Sequence, residues 1–292
     1  MTARLDRGWV GDPSSTIAFI RRRGSDDFPT VVALHQTPLS SWTYRPFLER
    51  SRHPGTIIAL DSPGYGDSDP LTTDANRSKP PALEDFATRV HSAIEALVPS
   101  GDLVLIGQHT GAHLAMMIAP ALGGRVQGCI FQGLTLYTEE ERADRAANYA
   151  PWITPSADGS HLSAIWERIG RLYPSADLRL RDRMVRDYLA ADPGYPYAYL
   201  GVFAFDVAPA VARFKESGIR STVIIGAQDL VAPRQHRVVE AFGSESILLD
   251  GLTDHAVSED PDRFAATVDA WLVGLDEGTS RTPRDPGSTR PE

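Results

Sequence analysis

The chain has 292 residues and a formal net charge of −9, with its basic residues scattered rather than clustered. That pattern excludes the electrostatic footprint of a nucleic-acid or anionic-membrane partner, so neither is expected. A lone cysteine, Cys129 in the apolar run VQGCIF, excludes an internal disulfide and reads as a buried structural thiol.

The opening MTARLDRGWVGD lacks the apolar core of a signal peptide. No run approaches the ~20 apolar residues of a membrane helix, so a cytoplasmic protein is the expectation. RGWV (7–10) suggests a short first strand. STIAFIRRR (15–23), TVVALH (30–35) and TIIALD (56–61) follow as β-branched, apolar runs. A helix is predicted over 81–98, then a strand at DLVLIG (102–107), a helix after His109 and a strand at VQGCIF (126–131). This alternation is the pattern of a parallel sheet covered by helices. It pauses between about 138 and 212, where three helical stretches follow one another without a strand. An all-helical insert there would cap the sheet, and its aromatics, among them Trp152, Trp166 and Tyr195, would supply core packing and the wall of an apolar pocket. Strands resume at STVIIGA (221–227) and SILLD (246–250), with helices at 233–243 and 261–275. In the last helix Phe264, Val268, Trp271 and Leu272 share one face. The core is therefore placed at 1–137 and 213–275 and the cap at 138–212. The polar, Pro/Gly-rich tail 276–292 is expected to be disordered.

Five segments carry polar residues to the ends of these strands: HQTPLSSW (35–42), DSPGYGDSD (61–69), GQHTGA (107–112), GAQDLVAP (226–233) and GLTDHAVSEDPDRF (251–264). In order and spacing they resemble the α/β-hydrolase family, in particular its capped branch of haloalkane dehalogenases, epoxide hydrolases and carbon–carbon bond hydrolases. The resemblance spans roughly residues 15 to 275. It implies an α/β-hydrolase fold: a mostly parallel sheet flanked by helices, with a helical cap after strand six.

The family's nucleophile occupies a strained strand-to-helix turn between small residues. Gly107 and Gly111 supply those residues here, and His109 stands where a serine, aspartate or cysteine is usual. The resemblance also places the family acid at Asp229 and the family base at His255, a dyad that would orient and stabilise the imidazole. It assigns the oxyanion-hole N–H groups to Thr110 and Gln36, with Gln36 replacing a glycine of the usual H-G-x-P. Thr37, Gln108, Trp152, Trp166 and Tyr195 complete the residues expected around substrate. His35 reads as structural. His113, four residues beyond His109, has metal-pair spacing but lacks the intervening glutamate of a zinc hydrolase, so a packed role is expected. Asp61, Asp67 and Asp69 read as turn carboxylates.

His109 cannot form the alkyl ester through which dehalogenases and epoxide hydrolases of this branch work, so both activities are rejected. Three readings stay open. The first is hydrolysis of a small, largely apolar or aromatic ester, lactone or carbonyl substrate, by activated water or by the imidazole itself. The second is acid–base chemistry without hydrolysis, such as elimination, decarboxylation, isomerisation or cyclisation, which hydroxynitrile lyases and cofactor-free dioxygenases of this fold exemplify. The third is ligand binding alone. His109 is expected close to His255 in one chamber, the two titrating as a pair. No cofactor or metal is implied, and a monomer or homodimer is expected.

Overall fold

The computed structural model describes residues 4–71, 80–191 and 194–279. Eight strands form one sheet: β1 (Leu5–Val10), β2 (Ile17–Arg22), β3 (Thr30–Leu34), β4 (Ile57–Leu60), β5 (Leu103–Gln108), β6 (Val126–Gln132), β7 (Ser221–Gly226) and β8 (Glu245–Leu249). Their order is β1-β2-β4-β3-β5-β6-β7-β8, with β2 antiparallel to both neighbours and the remaining pairs parallel. This is the α/β-hydrolase sheet that the sequence led us to expect.

The helices are α1 (Arg45–Arg50), α2 (Leu83–Leu97), α3 (Thr110–Ile118), α4 (Glu139–Asn148), α5 (Ser160–Leu172), α6 (Leu178–Ala190), α7 (Tyr197–Ala204), α8 (Ala208–Glu216), α9 (Gln235–Phe242), α10 (Ala256–Glu259) and α11 (Pro261–Thr279). Successive strand residues point to opposite faces of the sheet. Val32, Leu34, Leu103 and Leu105 therefore join the core beneath α2 and α3. Val31, Ala33, Val104 and Ile106 meet Phe47 and Leu48 of α1 and Phe264, Val268 and Leu272 of α11. With both faces covered, the central strands are apolar at almost every position rather than at every second one. Each such side chain stabilises the fold by about 1.5–3 kcal/mol relative to exposure.

Helices α4 to α8 follow one another between β6 and β7 with no strand among the described residues. The expected boundary at 212/213 falls inside α8. That helix is tied to the sheet, since the Phe214 ring lies 5.3 Å from that of Phe131 on β6. The overhanging segment thus ends before α8. At the carboxyl end α11 runs to Thr279, four residues into the stretch read as a tail; residues 280–292 lie outside those described. No helix among the described residues is long and apolar enough to cross a membrane. The parallel strands β3, β5, β7 and β8 all deliver their following loops to one edge of the sheet, the place where open α/β sheets bind ligands.

Candidate active site

β5 passes directly into α3 through His109, whose backbone sits at φ 47°, ψ −109°. Among the described residues it is the only non-glycine with positive φ. Such a conformation costs about 1–3 kcal/mol, and the surroundings must hold it. The His109 N–H donates to the Gln132 carbonyl at 2.7 Å, and its own carbonyl accepts from the N–H of Ala112 at 2.9 Å. Gly111 packs so closely on the Leu34 carbonyl that a Cβ would collide with it. The bend and its small flanking residues are as expected, and the imidazole stands at the crest.

The ring then departs from expectation. Nε2 of His109 lies 3.2 Å from Oδ2 of Asp229 and 3.7 Å from Oδ2 of Asp254. The other Asp229 oxygen accepts from the Val231 N–H at 2.9 Å, which fixes the carboxylate. Nδ1 of His109 has no protein partner among the described residues, and the ring opens onto a cavity. Gly133, with φ 67°, makes room for it: a Cβ there would sit 2.5 Å from Cδ2 and Nε2 of the ring. Burial disfavours the charged imidazole, but the Asp229 carboxylate, with Asp254 behind it, outweighs that and pushes the His109 pKa up to about 9. Burial likewise works to raise Asp229, yet the His109 charge prevails and holds its carboxyl below the ordinary value.

The expected Asp229–His255 pair is not formed. Among the described residues no hydrogen bond or ion pair joins them. Two causes act together. The imidazole at the crest is long enough to reach the Asp229 carboxylate itself. Gln36, in place of the family glycine, meanwhile holds His255, its amide nitrogen 3.2 Å from Nε2 of that ring. Tyr173 lies edge-on to His255 at 4.4 Å between centroids, and His255 is 1% exposed. His255 does not line the cavity that His109 faces. The two imidazoles are instead separated by Asp254, whose Oδ2 is 3.6 Å from Nε2 of His255. One shared chamber is therefore replaced by one open imidazole and one enclosed imidazole.

The backbone N–H groups of Gln36 and Thr110 have no acceptor among the described residues, as an oxyanion site requires. Other expected site residues lie elsewhere. The Gln108 amide, together with that of Gln132 at 3.0 Å, donates to the Asp254 carbonyl and braces that loop from beneath. The Thr37 carbonyl accepts from the Tyr199 hydroxyl at 2.5 Å, joining the β3 loop to the cap. Trp152 packs edge-on against Tyr197 at 5.5 Å, and Trp166 is 37% exposed on α5. Tyr195 is buried and its hydroxyl donates to the Pro151 carbonyl. None of these last three lines the cavity. Its aromatic wall is Tyr137, Tyr149, Tyr173, Tyr199 and Phe203, rings that periodicity alone did not separate from their neighbours.

The histidines read as structural, and Asp61 and Asp69 among the turn carboxylates, behave so; the Asp67 carboxylate instead lies at the surface, 3.7 Å from Arg7. His35 donates from Nδ1 to the Gln36 carbonyl at 2.8 Å and accepts the Ser62 N–H at Nε2. Both ring nitrogens of His113 face backbone carbonyls, those of His109 and Thr135, and burial lowers its pKa. Asp61 accepts from the N–H groups of Ser41 and Asp67, and Asp69 from Thr16. Three participants were missed: Asp254, Gly133 and Arg145. The acid beside His255 in TDH was the available signal for the first.

The cavity has a volume of about 40 Å³. That is room for a few waters and for no substrate of ordinary size.

The sequence matches the Alpha/beta hydrolase family over residues 31–267. The chain belongs to that family. Among solved structures, a thermophilic esterase from Thermogutta terrifontis is 17% identical at a TM-score of 0.70, covering 92% of this chain and 99% of its own. A haloalkane dehalogenase loop variant from Bradyrhizobium elkanii is 18% identical at 0.69, covering 95% and 99%. The haloalkane dehalogenase of Agrobacterium tumefaciens C58 is 19% identical at 0.65, covering 93% and 97%. At these identities the likeness shows a shared fold. A comparison with the curated proteins finds none that matches.

Proposed function

We propose that this family member is an enzyme acting on a small, largely apolar or aromatic ester, lactone or carbonyl compound. In this reading His109 transfers protons and no covalent enzyme intermediate forms. The observation that carries the reading is the 3.2 Å pairing of His109 Nε2 with Asp229, which leaves Nδ1 free at the cavity. An imidazole with a pKa of about 9 is mostly protonated near neutral pH. A protonated ring is no nucleophile, but it donates a hydrogen bond or a proton to a carbonyl or leaving oxygen. Negative charge developing on that oxygen would meet the free N–H group of Thr110, which lines the same cavity; Gln36 does not line it. In the hydrolytic form of the reaction, cavity water attacks the polarised carbonyl, His109 protonates the departing oxygen, and the neutral ring takes back the proton that the attacking water loses.

An imidazole held protonated beside Asp229 also suits a second form, because it offers an acid at once but a base for water only after it has given up its proton. Elimination, decarboxylation or isomerisation needs the same acid and oxyanion site without that water. Dehalogenase or epoxide hydrolase activity is disfavoured, because the two carboxylates beside the crest are engaged with His109 rather than aimed at substrate.

The test is a panel of aryl and alkyl esters and lactones assayed in labelled water, with wild type, His109→Gln and His255→Gln. Solvent oxygen in the product identifies hydrolysis, and conversion without it identifies the second form. A covalent adduct trapped on His109, or full activity in His109→Gln, would overturn the proposal.

A further inference from the structure

The cap presents one cation to the cavity that no carboxylate neutralises. Arg145, on α4, lines the same cavity as His109. Its guanidinium lies 5.1 Å from the Tyr149 ring centroid and 5.9 Å from that of Tyr137. No ion pair or side-chain hydrogen bond to Arg145 exists among the described residues. Its neighbour one turn earlier, Glu141, is fully engaged by Arg234 and Arg237 of the core. The same cavity is also lined by two carboxyl groups, Asp229 and Asp254, around a single imidazole.

The cavity lining is thus of mixed charge, with a cation on α4 and an acidic floor on the loops after β7 and β8. Resting a guanidinium on two tyrosine faces orients its planar fork while leaving its donors unused. A neutral apolar substrate gains nothing from such a group. A carboxylate would gain charge-assisted hydrogen bonds, and repulsion by the acidic floor would keep it from binding the wrong way round. We propose that Arg145 is a specificity-determining residue that selects substrates carrying a carboxylate, through a group separate from the one that reacts at His109. The inference deepens the proposed function and rests on the same cavity, but it concerns recognition and not chemistry.

Binding separates the two. Calorimetric titration with 4-phenylbutyrate and with its neutral isostere 4-phenylbutyramide should show the acid binding about 10-fold more tightly to the wild-type protein, a preference that shrinks as salt is added. Arg145→Met should abolish the preference while leaving amide binding within about two-fold, and Arg145→Lys should restore part of it. Arg179→Met, which removes an exposed charge elsewhere on the cap, controls for net charge and should change nothing. Equal binding of acid and amide by the wild-type protein, absence of binding by either, or a preference that survives Arg145→Met would each overturn the inference. An Arg145-dependent preference for the acid in a protein that converts no ester would uphold this inference and defeat the proposed chemistry. Ester conversion with no such preference would do the reverse.

Discussion

On the sheet side of the cavity, His109 is fixed by a positive-φ backbone, the Gln132 carbonyl, the hollow at Gly133 and the Asp229 carboxylate. On the cap side, Tyr149, Tyr199 and Phe203 meet mainly through their rings, at centroid separations of 5.2, 5.8 and 6.3 Å. Polar ties also join this roof to the core, among them Glu141 to Arg234 and Arg237, Arg183 and Asp187 to Ser40, Tyr199 to Thr37, Tyr195 and Ala198 to Tyr65, and Ser175 to Glu259. Hydrogen bonds and strained backbone fix single atoms, whereas ring contacts tolerate sliding. The floor is therefore the more tightly fixed half and the roof the looser one.

The sharpest way to break this contrast is at the crest. His109→Gln should lower turnover about 10²- to 10⁴-fold, the usual loss for a positioned acid–base group, while His255→Gln costs less than about 10-fold. Steady-state kinetics on the substrate found in the ester panel would check it. Equal losses would restore the two-imidazole site that the geometry argues against.

The next effect is on pH-dependent stability. The folded-state pKa of His109 is raised from 6.5 to about 9, so the charged ring favours the folded state. That contribution is complete below about pH 6.5 and disappears as pH climbs through 9, a loss of about 3 kcal/mol at most. Urea unfolding of wild type against His109→Gln across pH 6 to 10 would measure it, with the variant showing a flatter profile.

A smaller loss is expected from Gly133→Ala, which places a side chain at positive φ and against the imidazole. It should destabilise by about 1–3 kcal/mol, and displacing the ring should take most of the activity with it. Retained activity would mean that the ring position is not the one that works.

At the roof, Glu141→Gln should cost only about 0.5–1 kcal/mol, since its partners are partly exposed and exposed pairs are weak. The arginines hold the Glu141 carboxyl down to about 2. Its contribution is therefore present above its ordinary 4.5 and fades as pH falls toward 2. Thermal unfolding at neutral and acid pH would test this. A loss as large as that of Gly133→Ala would show the roof to be as tightly specified as the floor.

The sequence carried the strand pattern, the crest residue and the helical stretch because these depend on periodicity, glycine spacing and local order. It misplaced the partner of Asp229. Motif position tells which strand end a residue leaves, but rotamer and reach decide what it touches. Replacing a short nucleophile by an imidazole and a glycine by Gln36 redirected both histidines, through contacts across 120 and 219 residues of chain. Asp254 stood in the same TDH triplet as His255 and was passed over, since only the folded loop turns its carboxylate between the rings. Gly133 carried no signal of its own, as its meaning lies wholly in the ring it accommodates. Trp152 and Trp166 were named only as cap aromatics, whereas Tyr149, just past the end of α4, and Arg145 over its ring line the cavity.

The contact between Gln36 and His255 bears on any attempt to return this scaffold to ordinary esterase chemistry. Installing a serine by His109→Ser would free Asp229 and open a void beside Gly133, but His255 would still be tethered away from the new hydroxyl. Such a reversion is expected to stay inert until Gln36 is shortened as well. Gln36 alone, just past the end of β3, thus acts as a lock on His255.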